Sequence, residues 1–353
     1  MRKKILFLGE TYRADAITWM NGLKEFGDFE IITWELQTKG DGIGRIKRIL
    51  EFILAAFVIK EIANEQSIDM IIAERTTSYG FLAALSGVKP IAIAQQGITD
   101  IWPLKSPLNI FKKMLQNYAF KKANIIHAWG PVIAKHMMEG KVDMSKVIIM
   151  PKGINLSQFK YCSDSGNTKI EAIVTRSLQP EYKHCTILKA FSILKSQQIP
   201  FHLTIVGDGF LKENLINLTK KLNLEKEVTF TGKINNTELP KLLQKANIYI
   251  SMPTTEGVSA SLFEAMASGC FPIVTDLPGN SNWINHKING VLVPCCDEKI
   301  LADSIIWTYS NHEIIEKAIL DNRHFVEENA NYAINMKKIS EKYHELINQN
   351  QVS

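Results

Sequence analysis

Residues 253–270 read PTTEGVSASLFEAMASGC, and they follow a short apolar segment, Ile248–Ser251, that predicts a buried β-strand. The pattern predicts that a helix opens near Ser259 and covers Ala260–Ala267. Gly257, in the loop between them, permits a tight turn and a close approach of the backbone. The unpaired N–H groups and the positive dipole end of such a helix suit a diphosphate. The stretch therefore predicts a strand, a turn and an anion-binding helix start.

The same succession of short apolar strand and helix fills most of the chain. Strands are predicted at Ile5–Gly9, Glu30–Trp34, Met70–Ala73, Ile91–Ala94, Ile125–Ala128, Val147–Met150, Ile170–Thr175, Leu203–Val206, Val228–Phe230, Ile248–Ser251, Ile273–Thr275 and Val291–Val293. Helices are predicted at Arg45–Ala63, Asn109–Lys122, Cys185–Ser196, Leu211–Leu222, Thr237–Lys245, Ala260–Ala267 and Lys299–Tyr309, and from Glu313 nearly to the end. Apolar strands that alternate with helices indicate parallel sheets covered on both faces, in an α/β fold.

A chain of 353 residues is long enough for two domains. The pattern stops between Pro151 and Lys169, where polar residues and turn formers indicate a linker. We therefore predict two Rossmann-like doubly wound parallel-sheet domains, residues 1–160 and 161–331, followed by a C-terminal helix over residues 332–353. Ligands of such sheets bind beyond the carboxyl ends of the strands, so the expected site is a central cleft that the two domains face.

Two glutamates, Glu256 and Glu264, belong to the opening stretch and are separated by seven residues. At the mouth of the helix, Glu256 is placed to bind hydroxyls of a ligand that carries the diphosphate, and further along Glu264 is placed to accept hydrogen bonds from ribose hydroxyls of such a ligand. The bare spacing by itself favours a different interpretation, in which both carboxylates are solvated and Ser259 or Ser261 merely caps the helix.

The sequence from Glu256 to Gly269 closely resembles the pattern E-G-x-x-x-x-x-x-E-A-M-A-x-G of family 4 retaining glycosyltransferases, which have the GT-B fold. Other motifs of that family match in the same order. They are Met150–Asn155, Arg176–Leu178 followed by Lys183, Val206–Gly209, Pro272–Thr275 and Asn289–Val293. The likeness is strong over roughly residues 147–295 and weaker but collinear over the first half. It implies that the final helix packs back on the first domain.

The resemblance also implies a site for a nucleotide-sugar donor, mainly in the second domain. Arg176 and Lys183 stand where family members clamp the donor diphosphate, and together with Glu256 they are the predicted catalytic residues. The predicted donor-binding residues are Gly257, Val258, Ser259, Ala260, Ser261, Leu262, Glu264, Gly207 and Gly9.

The first domain, which is expected to bind the acceptor, departs from the family pattern in two places. Only Gly9 can act as the family's first glycine-rich loop. Where members often carry a histidine or tryptophan before G-S-D, this chain has amides, at Gln95 and Gln96. We expect Gln96 and Asp100 to bind hydroxyls of the donor or the acceptor. No general base is evident there, and in retaining transfer the acceptor proton can pass to the leaving phosphate.

The implied activity is that of a hexosyltransferase-type enzyme. It moves a hexose-type sugar, with retention, from a nucleotide sugar to a glycan or lipid-linked acceptor, in bacterial surface polysaccharide synthesis. Fixed cations and helix N–H groups stabilise the charge on the leaving diphosphate, so the family needs no metal. The sequence has no Asp-x-Asp pair, His-x-His pair or HExxH cluster, and we predict neither a metal nor a cofactor.

Composition bears on compartment and partners. Five cysteines without a CxxC pair argue against a disulfide framework and a zinc site, and they fit a cytoplasmic protein. The apolar run Ile5–Leu8 is too short for a signal peptide. No motif supports nucleic-acid binding. Residues 105–122 suit an amphipathic helix with a basic face, which is either an ordinary solvated helix or a peripheral contact with an anionic membrane, at the inner face of the cytoplasmic membrane.

Several alternatives share part of this pattern. A non-catalytic partner subunit that binds a nucleotide sugar would explain the altered Gly9 and Gln96 regions. A nucleotide-sugar epimerase or a phosphorylase could have the same architecture. A dehydrogenase is the weakest alternative, because no G-x-G-x-x-G follows the first strand.

Overall fold

A computed structural model gives the fold. The residues that it describes are 2–37, 44–95, 109–161, 169–235 and 237–352. They form two compact units, of which unit 1 comprises Met1–Lys152 with Tyr332–Ser353, and unit 2 comprises Gly153–Asn331. The division lies before residue 160, because Ile154 and Phe159 are buried in the core of unit 2.

Unit 1 is built on a six-stranded parallel sheet. Its strands are β1 (Lys4–Leu8), β2 (Glu30–Trp34), β3 (Met70–Glu74), β4 (Ile91–Gln95), β5 (Ile125–Ala128) and β6 (Val147–Ile149). The order is β2-β1-β3-β4-β5-β6, so the strand order reverses between β1 and β3. Strands β3, β4 and β5 are buried along their whole length, which is why their sequences are almost entirely apolar.

The helices of unit 1 cover this sheet. They are α1 (Ala14–Gly27), α2 (Gly44–Glu65), α3 (Phe81–Ser86), α4 (Asn109–Lys122), α5 (Pro131–Glu139) and α13 (Tyr332–Val352). The C-terminal helix α13 packs on α1. The buried Tyr343 hydroxyl of α13 is hydrogen-bonded to His127 Nε2 of β5 at 2.6 Å. Burial, aided by the charge of Lys152, lowers the pKa of His127 to about 3, so the imidazole of this pair is neutral.

Unit 2 has a second six-stranded parallel sheet. Its strands are β7 (Ile170–Val174), β8 (Phe201–Val206), β9 (Val228–Gly232), β10 (Ile248–Ser251), β11 (Phe271–Thr275) and β12 (Val291–Val293). The order is β12-β11-β10-β7-β8-β9, so the strand order reverses between β7 and β10. In open α/β sheets, the crevice beyond the carboxyl ends at such a switch point is the usual ligand site.

Helices cover both faces of the second sheet. They are α6 (His184–Ser196), α7 (Lys212–Lys221), α8 (Leu239–Lys245), α9 (Ala260–Ser268), α10 (Pro278–Ser281), α11 (Glu298–Ser310) and α12 (His312–Asn329). One core cluster includes Phe191, Leu203 and Leu301, and the other includes Tyr249, Phe263 and Met266. Two apolar clusters in one unit are what a sheet with helices on both faces requires.

The predicted elements are confirmed, with each strand end within two residues of its prediction. The continuous helix predicted from Glu313 nearly to the end is instead two helices, and the second, Tyr332–Val352, matches the C-terminal helix predicted over residues 332–353. They are separated at Ala330 and Asn331, where the Ala330 carbonyl accepts the Ile154 N–H at 2.8 Å and Asn331 forms a β-bridge with Ile154. That pairing takes the backbone out of the helical hydrogen-bond pattern.

Candidate functional site

The site in unit 2 lies at the switch point, where β7 and β10 are neighbours. Arg176 follows β7, and Ser251 ends β10. Arg176 Nε donates to Ser251 Oγ at 3.1 Å, and Arg176 Nη2 donates to Ser259 Oγ at 2.5 Å and to the Glu256 carboxylate. One guanidinium therefore connects the end of β10, the loop after it and the start of α9.

Arg176 and Glu256 form an ion pair whose side chains are only 15% and 12% exposed. Burial disfavours the charge of Arg176, but Tyr249, Glu256 and Tyr182 outweigh burial and raise the pKa of Arg176. Its Cζ also lies 5.3 Å from the centroid of the Tyr182 ring. Nη1 has no hydrogen-bond partner among the described residues, so a permanently charged donor remains for a bound anion.

Helix α9 begins as the sequence predicts, with Ser259 as its N-cap. Ser259 Oγ accepts the N–H of Leu262 at 3.2 Å, and Ser261 Oγ lies 3.0 Å from the Tyr249 hydroxyl. In the described part of the chain, the N–H groups of Ala260 and Ser261 have no hydrogen-bond acceptor. Two free donors at the positive end of the helix dipole thus adjoin the Arg176 guanidinium.

Several of the predicted donor-binding residues lie in the loop before α9 and in its first turn. Leu262 is 1% exposed and its N–H is already bound by Ser259 Oγ, and the side chain of Val258 packs against the same core cluster, so neither side chain is presented to a ligand. Gly257 lies at a bend of the loop between β10 and α9, and its φ is not among the positive values of the described glycines. A close backbone contact beside this loop is made by Gly279, where a Cβ atom would lie 2.2 Å from the Glu256 carbonyl oxygen.

Glu264 lies inside α9, on the turn after its start. Desolvation by burial raises the pKa of Glu264 to about 7, although the charge of Arg176 opposes the rise. Its carboxylate makes no hydrogen bond or ion pair with any residue that the structure describes. Glu264 is half-buried. A carboxyl group that is largely removed from water without a protein partner is costly, and ligand hydroxyl groups can supply the missing hydrogen bonds.

Lys183 is the last residue of the segment that joins β7 to α6, and His184 is the first residue of α6. Lys183 has a left-handed backbone, with φ of 49°, at the N-cap of α6, and its ammonium has no ion-pair partner within the described ranges. His184 is 1% exposed, and both its ring nitrogens lack a hydrogen-bond partner among the described residues. Burial lowers the pKa of His184 to about 4, and the charge of Arg176 acts in the same direction. The backbone of Arg176 opposes this fall by raising the pKa. The imidazole is therefore neutral beside the cation.

The other predicted glycine of unit 2, Gly207, has φ of 141°. A Cβ atom there would lie 2.5 Å from the carbonyl oxygen of Arg176. Gly207 is needed because a side chain would push away the backbone of Arg176. The absence of a side chain at Gly207 thus allows the backbone of Arg176 to lie where it does.

In unit 1 the strand ends at the switch point carry a second cluster. A Cβ atom on Gly9 would lie 3.0 Å from Glu74 Oε2, so the space beside Gly9 holds a buried carboxyl group. Burial, with Asp15, raises the pKa of Glu74 to about 7 against the charges of Lys152, Arg13 and Arg75. The predicted acceptor-side residues Gln96 and Asp100 lie outside the described residues.

Sequence reasoning missed four residues of the two clusters at the strand ends. They are Ser251, Gly279 and His184 in unit 2, and Glu74 in unit 1. Ser251 and Glu74 carry a readable signal, because each is a polar residue that ends an otherwise apolar strand. Gly279 and His184 carry none, because only the fold shows what lies next to them. Among the described residues, no three His, Cys, Asp or Glu side chains form a metal-binding group.

Two family profiles match the chain. The profile described as "Glycosyl transferases group 1" matches residues 163–330, and the one described as "Glycosyl transferase 4-like" matches residues 4–128. The first match contains Arg176, Lys183 and all of α9. The two matches follow one another without overlap and fall in unit 2 and unit 1 respectively.

Relatives and solved structures agree with these profiles. Protein CapJ of Staphylococcus aureus is 27% identical over 266 residues, which are 73% of this chain and 61% of CapJ. The UDP-Gal:alpha-D-GlcNAc-diphosphoundecaprenol alpha-1,3-galactosyltransferase of Escherichia coli is 24% identical over 242 residues, which are 64% of this chain and 62% of that protein. The matches therefore span less than two thirds of either relative.

Alr3699/HepE of Anabaena, solved in complex with UDP, superposes with a TM-score of 0.79 at 15% identity. The superposition covers 98% of this chain and all of that one, 100%. At such identity the likeness shows the fold alone. With two six-stranded parallel sheets, the ordered motifs and two profile matches, the chain belongs to the group 1, family 4-like glycosyltransferases, and its fold is GT-B.

Proposed function

We propose that the protein transfers a hexose-type sugar, with retention, from a UDP-sugar to a lipid-linked or glycan acceptor of bacterial surface polysaccharide synthesis. The observation that carries the proposal is the convergence of Arg176 and the start of α9 at the switch point of unit 2. Lys183 directly follows Tyr182, whose ring lies 5.3 Å from the Arg176 guanidinium, and is proposed to reach the same diphosphate. Each supplies a donor or a positive charge for a diphosphate, and this is the part of the chain that the group 1 profile matches.

The contacts of Arg176 assign separate tasks to its neighbours. Nη1 of Arg176, the Lys183 ammonium and the N–H groups of Ala260 and Ser261 are the proposed diphosphate donors. Cleavage of the sugar–phosphate bond adds negative charge to the leaving diphosphate, and donors that are already fixed stabilise this charge without reorganising. Ser251, Ser259 and Glu256 hold the guanidinium in place.

The two glutamates are proposed to accept hydrogen bonds from hydroxyl groups of the donor. Glu256 binds Arg176 through Oε2, and its Oε1 has no partner in the described part of the chain, so this oxygen is proposed to accept from the donor sugar. Glu264 is proposed to accept from the ribose hydroxyls. Such bonds stabilise the ionised form of Glu264, so donor binding is expected to lower its pKa from about 7.

No metal ion is needed in this scheme, because the cations and helix N–H groups already face the charge that a metal would neutralise. The acceptor proton is proposed to pass to the leaving phosphate, which requires no protein base. UDP is chosen as the nucleotide because the solved Anabaena protein is a complex with UDP and the Escherichia coli relative is named for UDP-Gal. That relative's name also supplies the lipid-linked acceptor.

An enzyme that uses a lipid-linked acceptor must contact the membrane surface, and unit 1 has an exposed apolar surface that suits this contact. Helices α2 and α4 both pack on α3, where the Phe81 ring lies 6.2 Å from the Phe52 ring and 5.6 Å from the Tyr118 ring. Large apolar side chains of α2 and α4 are nevertheless exposed, with fractions of 72% for Phe57 and 64% for Met114. No helix in the described part of the chain has the length and apolar character of a membrane span.

The lysines of α4 make an anionic bilayer the expected partner of this surface. The basic residues of α4 include Lys112, Lys113, Lys121 and Lys122. Apolar side chains that insert between headgroups and lysines that attract anionic lipid are the two parts of an interfacial helix. We therefore propose that α2, α3 and α4 dock on the membrane that carries the acceptor.

Liposome flotation tests the membrane proposal. The protein should float with vesicles that contain phosphatidylglycerol and stay at the bottom with phosphatidylcholine alone. A Phe57→Ser, Met114→Ser variant should lose flotation, and Phe210→Ser is the matched control because Phe210 is 80% exposed in unit 2. Equal flotation of all three proteins, or none with either lipid, contradicts the proposal.

Thermal stabilisation tests the donor proposal. The melting temperature is measured in EDTA with millimolar UDP, GDP, ADP and their sugars. UDP compounds should raise it, and Arg176→Ala should remove the effect. Stabilisation without any turnover of the nucleotide sugar would point to the non-catalytic partner subunit, and no stabilisation by any nucleotide contradicts the donor site.

A further inference from the structure

Two adjacent cysteines, Cys295 and Cys296, follow strand β12 at the carboxyl edge of the second sheet. Both are exposed and reduced, and their sulfur atoms are 3.2 Å apart. Cys296 has a left-handed backbone with φ of 64°, and Asp297 then caps α11 by accepting the Ile300 N–H at 2.8 Å. The turn therefore places two thiols side by side, on the same edge of the sheet as the donor site.

The same turn lies beside the start of α6. Helix α11 packs along α6, and Lys189 of α6 forms an ion pair with Glu298 of α11 at 3.7 Å. Lys183, at the N-cap of α6, acts electrostatically on Cys295, opposing the rise in the pKa of this thiol that burial and Cys296 cause. Within the described ranges, the positive charge that acts on Cys295 is thus that of the lysine assigned to the donor diphosphate.

We propose that Cys295 and Cys296 form a vicinal-dithiol modification site, which exchanges with low-molecular-weight disulfides and chelates trivalent arsenicals, and which weakens donor binding at Lys183 when it is occupied. The first part stands on the position of the two sulfur atoms alone. The second part rests on the proposed function, because it requires that Lys183 binds the diphosphate.

The exchange conserves atoms and electrons. One thiolate attacks a sulfur of the low-molecular-weight disulfide, a mixed disulfide forms, and the released thiolate takes up the proton. The protein sulfur is oxidised and the departing sulfur is reduced. The trivalent arsenical phenylarsine oxide reacts without any change of oxidation state, because two As–S bonds replace the As–O bond and the oxygen leaves as water with both thiol protons.

Modification of Cys295 and Cys296 is expected to affect Lys183 in two ways, by steric hindrance and by charge. A phenylarsenic group or a mixed disulfide adds bulk to the turn whose Cys295 the charge of Lys183 reaches, and Lys183 is half-buried before any modification. A carboxylate-bearing mixed disulfide also offers Lys183 an anion that competes with the diphosphate. Linked sites typically change affinity by about 5-fold to 150-fold, so we expect a fall of about fivefold or more.

Phenylarsine oxide is the probe for the first part. Intact-protein mass spectrometry, after excess monothiol removes singly bound arsenic, should show one phenylarsenic group on the wild type. Cys185→Ser should also keep this group, because Cys185 is exposed but not adjacent to another cysteine. Cys295→Ser and Cys296→Ser should each lose it. Incorporation into both variants, or none into the wild type, overturns the dithiol site.

Calorimetric titration with UDP tests the second part on the same samples. Modified wild type should bind UDP at least about fivefold more weakly than unmodified protein, and treated Cys296→Ser should be unaffected. Unchanged affinity of the modified protein overturns the link to Lys183. Absence of UDP binding before any modification is instead a failure of the proposed function, and the mass measurement then still decides the dithiol site.

Discussion

Replacing Glu264 by glutamine should make the protein more stable at alkaline pH while weakening donor binding. Burial raises the pKa of Glu264 to about 7, from an ordinary 4.5, and its carboxylate makes no hydrogen bond or ion pair with any described residue. The folded state therefore binds a proton more tightly than the unfolded state. The stability that this proton provides is complete below pH 4.5 and is lost as the pH rises through about 7.

The size of the effect follows from the same two values. A rise from 4.5 to about 7 costs the folded state about 3 kcal/mol at pH 8 and under about 1 kcal/mol at pH 5. Water reaches part of the Glu264 side chain, so we expect Glu264→Gln to stabilise the protein by about 1–3 kcal/mol at pH 8. The neutral amide loses a charge-assisted hydrogen bond to the ribose, which should weaken UDP binding by about tenfold or more.

Thermal melts at pH 5 and pH 8 measure the stability difference, at about 2–4 °C for each kcal/mol. Glu316→Gln is the matched control, because Glu316 is an exposed glutamate of α12 in the same unit. The gain should appear for Glu264→Gln at pH 8 and be small at pH 5. A variant that is no more stable than wild type at pH 8, or that differs equally at both pH values, refutes the reasoning, and unchanged UDP affinity refutes the assigned contact.

Three further substitutions test other contacts. Arg176→Met should lower turnover of the donor by about 100-fold or more, because it removes the fixed cation and leaves the buried Glu256 unpaired. Initial rates with a panel of UDP-sugars measure this loss, and unchanged rates would mean that the guanidinium has only a structural role. Gly279→Ala places a Cβ 2.2 Å from the Glu256 carbonyl oxygen, so it should weaken UDP binding in calorimetry, and an unaltered Kd would mean that the loop adapts freely. Tyr343→Phe should cost about 1–3 kcal/mol in urea unfolding, because His127 loses its buried partner, and an unchanged midpoint would show that α13 is held by packing alone.

The fold was predictable because it depends on local patterns. Buried parallel strands such as Met70–Glu74 and Ile91–Gln95 must be apolar throughout, and the helices between them must present one apolar face. The start of α9 was predictable for the same reason, since Ser259 is a strong N-cap. The helix that begins at Tyr332 was predicted, but the cause of the break before it was not, because this cause is a strand-like pairing with Ile154, far away in the chain.

The residues of the site were predictable only in part. The family pattern names Arg176 and Glu256 separately, but their ion pair joins residues 80 positions apart and follows from the adjacency of β7 and β10. The sequence does not show that Gly207 and Gly279 also lie against the backbone of Arg176 and Glu256, where a side chain would not fit. Such steric reasons depend on neighbours that no local sequence pattern contains.

The central claim is that the start of α9, with Arg176 and Lys183, binds the diphosphate of a nucleotide-sugar donor without a metal. A crystal structure of the protein grown with UDP in EDTA tests it most directly. The account predicts the diphosphate within hydrogen-bonding distance of Arg176 Nη1, the Lys183 ammonium and the N–H groups of Ala260 and Ser261, with the ribose on Glu264. UDP bound elsewhere, or a diphosphate that contacts neither cation, would contradict it.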